Sequence, residues 1–283
     1  MKRKITKILS LMLVLALAMS LIACGSSKKT SEKKNDDNKS QLAELSAEEL
    51  VNKLASSTEE MQGVSAKANL DLAVSASGTE MISMSGRVDM KSVLDPMKAY
   101  AKVDLNLNAM GQEQSQTMET YEVADGNVLE MYSLTDGEWS YTTQDLSDVG
   151  MDLTQITDEL AKIDFSTVSE YFDSIESKKI GGNYQLEMKI TTAKLLEKAK
   201  ELGLSEYLGE EVDLSTIPDA TIVITLVCDG ETYLPSALSV SLDMDPITYQ
   251  GVEIDVTKFV FDITFDSYEN IEITVPDEAL AAK

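Results

Sequence analysis

The chain has 283 residues, with 49 acidic against 24 basic side chains and a net charge of −25 at neutral pH. Lys2, Arg3, Lys4, Lys7, Lys28, Lys29, Lys33, Lys34 and Lys39 precede residue 40 against only Glu32, Asp36 and Asp37, so the rest is more anionic still. A body of that sign is repelled by nucleic acid and by anionic polymers, which excludes a nucleic-acid partner. Without histidine the chain also lacks the commonest general base, transition-metal ligand and triad member.

Residues 1–23 open with the basic cluster Lys2, Arg3, Lys4 and Lys7, then run apolar from Ile8 to Ala23 apart from two serines. A basic start, an apolar middle and small residues at a cleavage point make a signal peptide. The run is too short for a membrane span, which needs about 20 apolar residues. It closes on Leu21-Ile22-Ala23-Cys24 and is followed by Gly25-Ser26-Ser27. That sequence resembles the lipobox of bacterial lipoproteins, in which the cysteine takes a diacylglyceryl group and becomes the mature N-terminus. The resemblance implies a lipid anchor at Cys24 and residence on the extracytoplasmic face of the cell membrane. The alternative is an ordinary signal peptide with a chance cysteine. Residues 24–43 are Ser, Lys, Asp and Asn with almost no apolar side chain, the composition of a disordered polar tether. Its lysines can lie against anionic headgroups and add to the hold of the lipid.

A folded domain over 44–283 starts with Ser46-Ala47-Glu48-Glu49, which has capping-box spacing. Leu50, Val51, Leu54, Thr58 and Met61 follow at helical intervals, so a helix of about 15 residues ends near Gly63. The period then becomes two. Val64, Ala66, Ala68, Leu70, Leu72, Val74 and Ala76 alternate with polar residues and predict a long strand. Further strands follow through Ile82–Met90 positions, through Ala99–Leu107 positions and over 116–124. Asp125-Gly126 and Asp136-Gly137 are hairpin signals leading into strands over 128–133 and 139–143. Between 145 and 176 the alternation is lost. Leu153, Ile156, Leu160 and Ile163, then Val168, Tyr171, Phe172 and Ile175, fit two short helices. A strand at 184–190, a helix at 192–202 and strands at 220–229, 238–244 and 252–265 complete the chain. In the last strand the apolar parity shifts from Val252, Ile254 and Val256 to Phe259, Phe261, Ile263 and Phe265, which predicts a β-bulge near Thr257-Lys258.

No residue asks to be a nucleophile. There is no Ser-x-x-Lys with its companion elements, no Gly-x-Ser-x-Gly and no phosphate-cradling glycine loop. Asp243 with Asp245, and Asp262 with Asp266, set carboxylates on one strand face, but solvated acids are the ordinary reading in so acidic a chain. The reading is therefore a non-enzyme without a cofactor or a metal site. With Cys24 lipidated, Cys228 is a lone thiol in a strand-like run and reads as buried and structural.

The expected fold is α+β, a curved antiparallel sheet of about ten strands packed over a few helices. Its apolar positions are rich in alanine and in Met81, Met84, Met90, Met118, Met131, Met188 and Met244. Small and adaptable side chains suit a hollow for an apolar ligand, though composition alone favours an ordinary core. The order of lipobox, tether, N-terminal helix, long strands, central helices and final strands resembles the LolA-like lipoprotein-carrier superfamily and its glycolipid-binding lipoproteins. The tail Ser267-Tyr268-Glu269-Asn270-Ile271-Glu272-Ile273-Thr274-Val275-Pro276 resembles that of Gram-positive lipoproteins grouped there. The resemblance implies a half-barrel of up to eleven strands over 44–283, with a helical lid, that binds acyl chains. The residues expected to line such a cavity are Leu70, Leu72, Ile82, Met84, Val103, Leu105, Leu186, Met188, Val240 and Leu242. A structural lipoprotein with a filled core that contacts a protein partner in the envelope is the alternative. Its partner has no signature in the chain.

Overall fold

The computed structural model describes residues 44–58, 61–145, 169–201, 219–249 and 251–283. The signal peptide, Cys24, the tether and the helix expected through Leu153–Ile163 positions lie outside the described residues. What is described is an open, antiparallel sheet of twelve strands with few helices. It is mostly β rather than α+β.

Helix α1 (Ala47–Thr58) opens the domain. Its capping box closes reciprocally: the Glu49 backbone N–H donates to Ser46 Oγ at 3.2 Å, and the Ser46 N–H donates to Glu49 Oε2 at 2.8 Å. Leu50, Val51, Leu54 and Thr58 form its buried stripe. The helix ends earlier than its periodicity suggested. Thr58 folds its hydroxyl back onto the carbonyls of Leu54 and Ala55, where it competes with the backbone ladder.

The strands then follow as β1 (Gly63–Ala76), β2 (Thr79–Leu94), β3 (Met97–Ala109), β4 (Gln112–Asp125), β5 (Val128–Thr135) and β6 (Glu138–Asp145). Each hairpin pairs with the one before. Two-residue turns with positive φ at both central positions, Ser77-Gly78, Met110-Gly111 and Asp136-Gly137, match the twist of the strands they join. The second half holds β7 (Ser174–Ile180), β8 (Asn183–Thr191), α2 (Thr192–Glu201), β9 (Ala220–Asp229), β10 (Pro235–Met244), β11 (Ile247–Tyr249) and β12 (Val252–Ser267). The order across the sheet is β6-β5-β4-β3-β2-β1-β12-β10-β9-β8-β7, with β11 paired to β12 alone.

Two strands exceed the ten that alternation marked. Tyr171, Phe172 and Ile175 were expected on a helix; instead a single 3₁₀ turn at 169–171 runs into β7. The Asp173 carboxylate accepts from the Thr191 N–H at 2.7 Å and fixes that entry, a tertiary contact that period alone does not carry. Strand β11 is three residues long, too short to show a period. The expected bulge is present. Ala73 pairs with Lys258 and Val74 with Val256, leaving Thr257 as the extra residue, with its hydroxyl directed to the Ala73 carbonyl.

The C-terminal segment straps the sheet. Tyr268 donates to the Pro235 carbonyl at 2.7 Å and stacks on Phe265. Ile271 then passes Gly63, where a Cβ would sit 2.5 Å from the Ser92 carbonyl oxygen. The segment ends in the short helix α3 (Asp277–Leu280), packed on β5 and β6 with Ala279 fully buried. Among the described residues no helix is long and apolar enough to cross a membrane.

Candidate functional site

Side chains of directly opposed residues share a face of the sheet, so the registers assign every strand position. Leu70 stands opposite Phe261 on β12, which stands opposite Val240 on β10. Val240 faces Ile224, and Ile224 faces Met188. In the other direction Leu72 faces Met84, Val74 faces Ile82, and Val88 and Gly86 face Val103 and Leu105. Leu186 and Leu242 join through Leu226 and Ile222. The ten residues expected to line a cavity therefore lie on one face of one continuous sheet.

They do not share one environment. Leu186, at 2% exposure, and Met188 are buried in a cluster with Leu50, Val51 and Leu54 of α1 and with Tyr184, Leu226 and Cys228. At this end the protein's own helix fills the face. Burial pushes the Cys228 thiol up to about 12, so it carries no thiolate at neutral pH. Leu70 is buried beside Ala66, Ala68 and Ile263 at the middle of the sheet. Leu72, Met84, Val103, Leu105, Val240 and Leu242 are half-buried, and Ile82 is 41% exposed. Gly86 leaves a notch between Leu70 and Leu105, whose Cδ1 would lie 3.2 Å from a Cβ there. The same face thus runs from a closed core over β7–β9 to an apolar surface over β1–β3 with which α1 shares no major contact.

The expectation of one apolar face along the whole sheet fails at β4. There Gln112, Gln114, Gln116, Thr120 and Glu122 occupy the α1 face, with only Met118 and Ala124 apolar among them. The apolar bulk moves to the opposite face, where Tyr100, Tyr121 and Trp139 form one run of tilted rings with centroids 4.9 and 6.0 Å apart. Tyr132 and Tyr141 form a second pair at 5.1 Å. Helix α3 covers the Tyr132 end. Lys283 lies over the Tyr141 ring and pairs with Glu130, which also accepts from the hydroxyls of Tyr132 and Tyr141. Those contacts, Lys283 first, hold the Glu130 carboxyl below its ordinary range. The acids singled out in the sequence are surface groups here. Asp266 pairs with Lys67 across the β1–β12 ladder, and Asp243 and Asp245 are exposed.

Glu122 is the residue the sequence reading missed. It sits between Ala99 on β3 and Met131 on β5 and is only 6% exposed. No hydrogen bond or ion pair reaches it among the described residues. Desolvation alone raises its pKa above the usual carboxylate value. The signal was available: counting back from the Met110-Gly111 turn puts position 122 opposite 99, on the apolar side of β3.

No curated protein matches the chain. A family model described as a family of unknown function (DUF6612) matches residues 46–283, from the N-cap of α1 to the last residue. Among solved structures the chain is similar to a beta-barrel-like protein of a domain of unknown function (DUF1849) from Brucella abortus, at 11% identity over 73% of this chain and 97% of that one. The TM-score is 0.26, a superposition too loose to carry fold or function across.

Two outcomes follow from the geometry. Leu186→Ala opens a cavity under α1 and costs about 2–5 kcal/mol. Met84→Ala on the uncovered stretch costs about 1 kcal/mol or less, and urea unfolding of both variants gives the comparison. Glu122→Gln removes a desolvated charge. A carboxyl whose folded pKa is raised stabilises below its unfolded pKa and loses that contribution as pH rises through the folded value. The variant therefore melts higher than the parent by about 2–4 °C at pH 7, the shift that about 1 kcal/mol gives in a domain of this size. The difference disappears as pH falls below the ordinary glutamate pKa of about 4.3, where the carboxyl is protonated in both folded and unfolded chains.

Proposed function

The chain belongs to the DUF6612 family, and from that premise we propose that it is a lipid-anchored, extracytoplasmic binding protein that holds an apolar ligand on the α1 face of its sheet. In this reading Cys24 carries the diacylglyceryl group, residues 24–43 tether the domain to the cell membrane, and the sheet curves into a LolA-like half-barrel with the α1 face inward. The bulge at Thr257 supplies local curvature of the kind such closure needs. The reading assigns no catalytic step and no cofactor.

The observation that carries it is the contrast between the two ends of that face. Leu186 and Met188 are capped by α1, whereas Leu72, Ile82, Met84, Val103 and Leu105 continue the same apolar surface with no helix packed substantially on it among the described residues. An aliphatic chain laid there gains about 0.8 kcal/mol for each CH₂ it buries. Twelve such groups supply about 10 kcal/mol before ordering costs, which are of similar order. A second reading rests on the filled end. If the core under α1 is the whole of the apolar face's purpose, the protein is a scaffold, and a stoichiometric protein partner co-purifies with it from membranes.

Native mass spectrometry of the detergent-extracted chain tests the first reading. A stoichiometric apolar adduct beyond the covalent diacylglyceryl mass is the expected result. Met84→Asp should lower its occupancy by at least about tenfold, the ratio that 1.4 kcal/mol of lost affinity gives, with the fold intact by circular dichroism. A bare parent chain under these conditions sinks the binding reading. Separately, Cys24→Ser abolishes incorporation of labelled palmitate and releases the chain from the membrane fraction. Retained label would place the anchor elsewhere.

A further inference from the structure

Tracing the registers across β1–β5, β8–β10 and β12 leaves one charged side chain on the α1 face, Glu122. The remaining positions of β1, β2 and β3 on that face are Ala, Val, Leu, Ile, Met and Gly, with Ser92 and, at the hairpin end, Thr79. Charge returns only on the outermost strands, at Glu138 of β6 and Lys179 of β7. Glu122 is flanked across the ladders by Ala99 and Met131, and along its own strand by Thr120 and Ala124 on the same face. Ser92, buried, lies one strand beyond Ala99.

Beside Glu122 the floor of the face is made of small residues. Ala99 and Ala101 on β3 continue into Ala66 and Ala68 on β1, all buried, with Met90 and Val88 between them. Alanines give the face its lowest relief here, next to a carboxylate with no partner among the described residues. From Ala99 the apolar track continues through Ala101 and Val103 to Leu105, about 20 Å of strand. A largely buried carboxylate at the head of a long apolar track gains from a cation brought beside it. The surrounding field has the same preference. At −25 overall, the protein attracts cations to its surface and repels carboxylate and phosphate heads.

Resting on the reading of this face as an apolar-ligand site, we propose that the ligand is a cationic amphiphile, a long-chain aliphatic amine in its simplest form. Its ammonium pairs with Glu122 and its chain lies along Ala101, Val103 and Leu105. This assigns to Glu122 a binding role, and it excludes free fatty acids as the preferred ligand.

The test uses the full lipid-anchored chain in lipid nanodiscs and three photoactivatable probes with one diazirine-bearing dodecyl chain: an amine, an alcohol and a carboxylate. Crosslinked peptides are mapped by mass spectrometry. Partition into the bilayer is common to all proteins compared and cancels between parent and Glu122→Gln. The expected result is labelling of β2 and β3 peptides, with the amine at least about tenfold above the alcohol and the carboxylate below it. In Glu122→Gln the amine falls to the level of the alcohol, while the alcohol's own labelling is unchanged. If the alcohol labels the face but the amine holds no advantage, or keeps its advantage in Glu122→Gln, the assignment is overturned and the apolar-ligand reading stands. Should none of the probes label these strands, both fall together.

Discussion

The ladder between β1 and β12 holds the molecule together. It joins residues such as Lys67 and Asp266, 199 positions apart in the chain, and it is the seam between two halves of one sheet, each built from neighbouring hairpins. On one side β1–β6 pair in sequence. On the other, β7–β10 close on themselves. Without the seam, α1 would face β7 and β8 from one piece while the strand after it belonged to the other. The register at the seam also decides which sides meet. Ala66, Ala68, Leu70 and Leu72 stand against Phe265, Ile263, Phe261 and Phe259, so the apolar sides of both halves become one surface. A slip of a single residue would turn one half over. The bulge at Thr257 absorbs the one place where the parities of the two strands disagree.

Much of this was legible because strands with one wet face write their period into the chain. The capping box at Ser46 and Glu49, the parity change at Thr257 and the hairpin turns at Asp125-Gly126 and Asp136-Gly137 are local signals, and each has its counterpart in the fold. The strand at Ser174–Ile180 was not legible. Ile175 and the residues before it carry a spacing compatible with a helix, and only the partner strand β8 and the Asp173 contact to Thr191 make them extended. Nor could the sequence say which side of β4–β6 belongs with which side of β1–β3. The apolar residues alternate on all of them, yet the facing side changes at β4. Counting registers through the turn at Met110-Gly111 would have exposed it, because that count places Glu122 among alanines and the tyrosines on the other face. The ten residues expected to line a cavity do share one face, while α1's hold on Leu186 and Met188 needed the tertiary structure.

The change of side at β4 gives the sheet two apolar surfaces at opposite ends and on opposite faces. Each has its own cover. Helix α1 lies over β7 and β8, and α3, carried there by the C-terminal strap, lies over β5 and β6. The two covers come from the two ends of the domain, and among the described residues neither packs substantially on the middle of the α1 face. That middle is where Leu72, Met84, Val103 and Leu105 stand. The aromatic end is tied down by hydroxyl–carboxylate bonds at Glu119 and Glu130, which suits a rigid support. The alanine and methionine end has no such polar ties, which suits a surface that adapts to what lies on it.

Glu122 is the point at which stability and function part. Glu122 is largely buried with no hydrogen bond or ion pair reaching it among the described residues, and burial raises its pKa, whereas the isosteric amide would leave the sheet undisturbed. A side chain that makes the fold less stable than its nearest substitute has a physical reason outside the folding equilibrium of the chain alone. Its neighbours narrow that reason. Across the ladders Ala99 and Met131 offer no proton donor, the Thr120 hydroxyl on its own strand makes no hydrogen bond to it, Ser92 is a strand away behind Ala99, and the lysines of β2 and β3 project from the other face by the same registers that bring Glu122 to this one. The cation proposed to pair with it would reach it along the α1 face, where β1–β3 present an apolar surface.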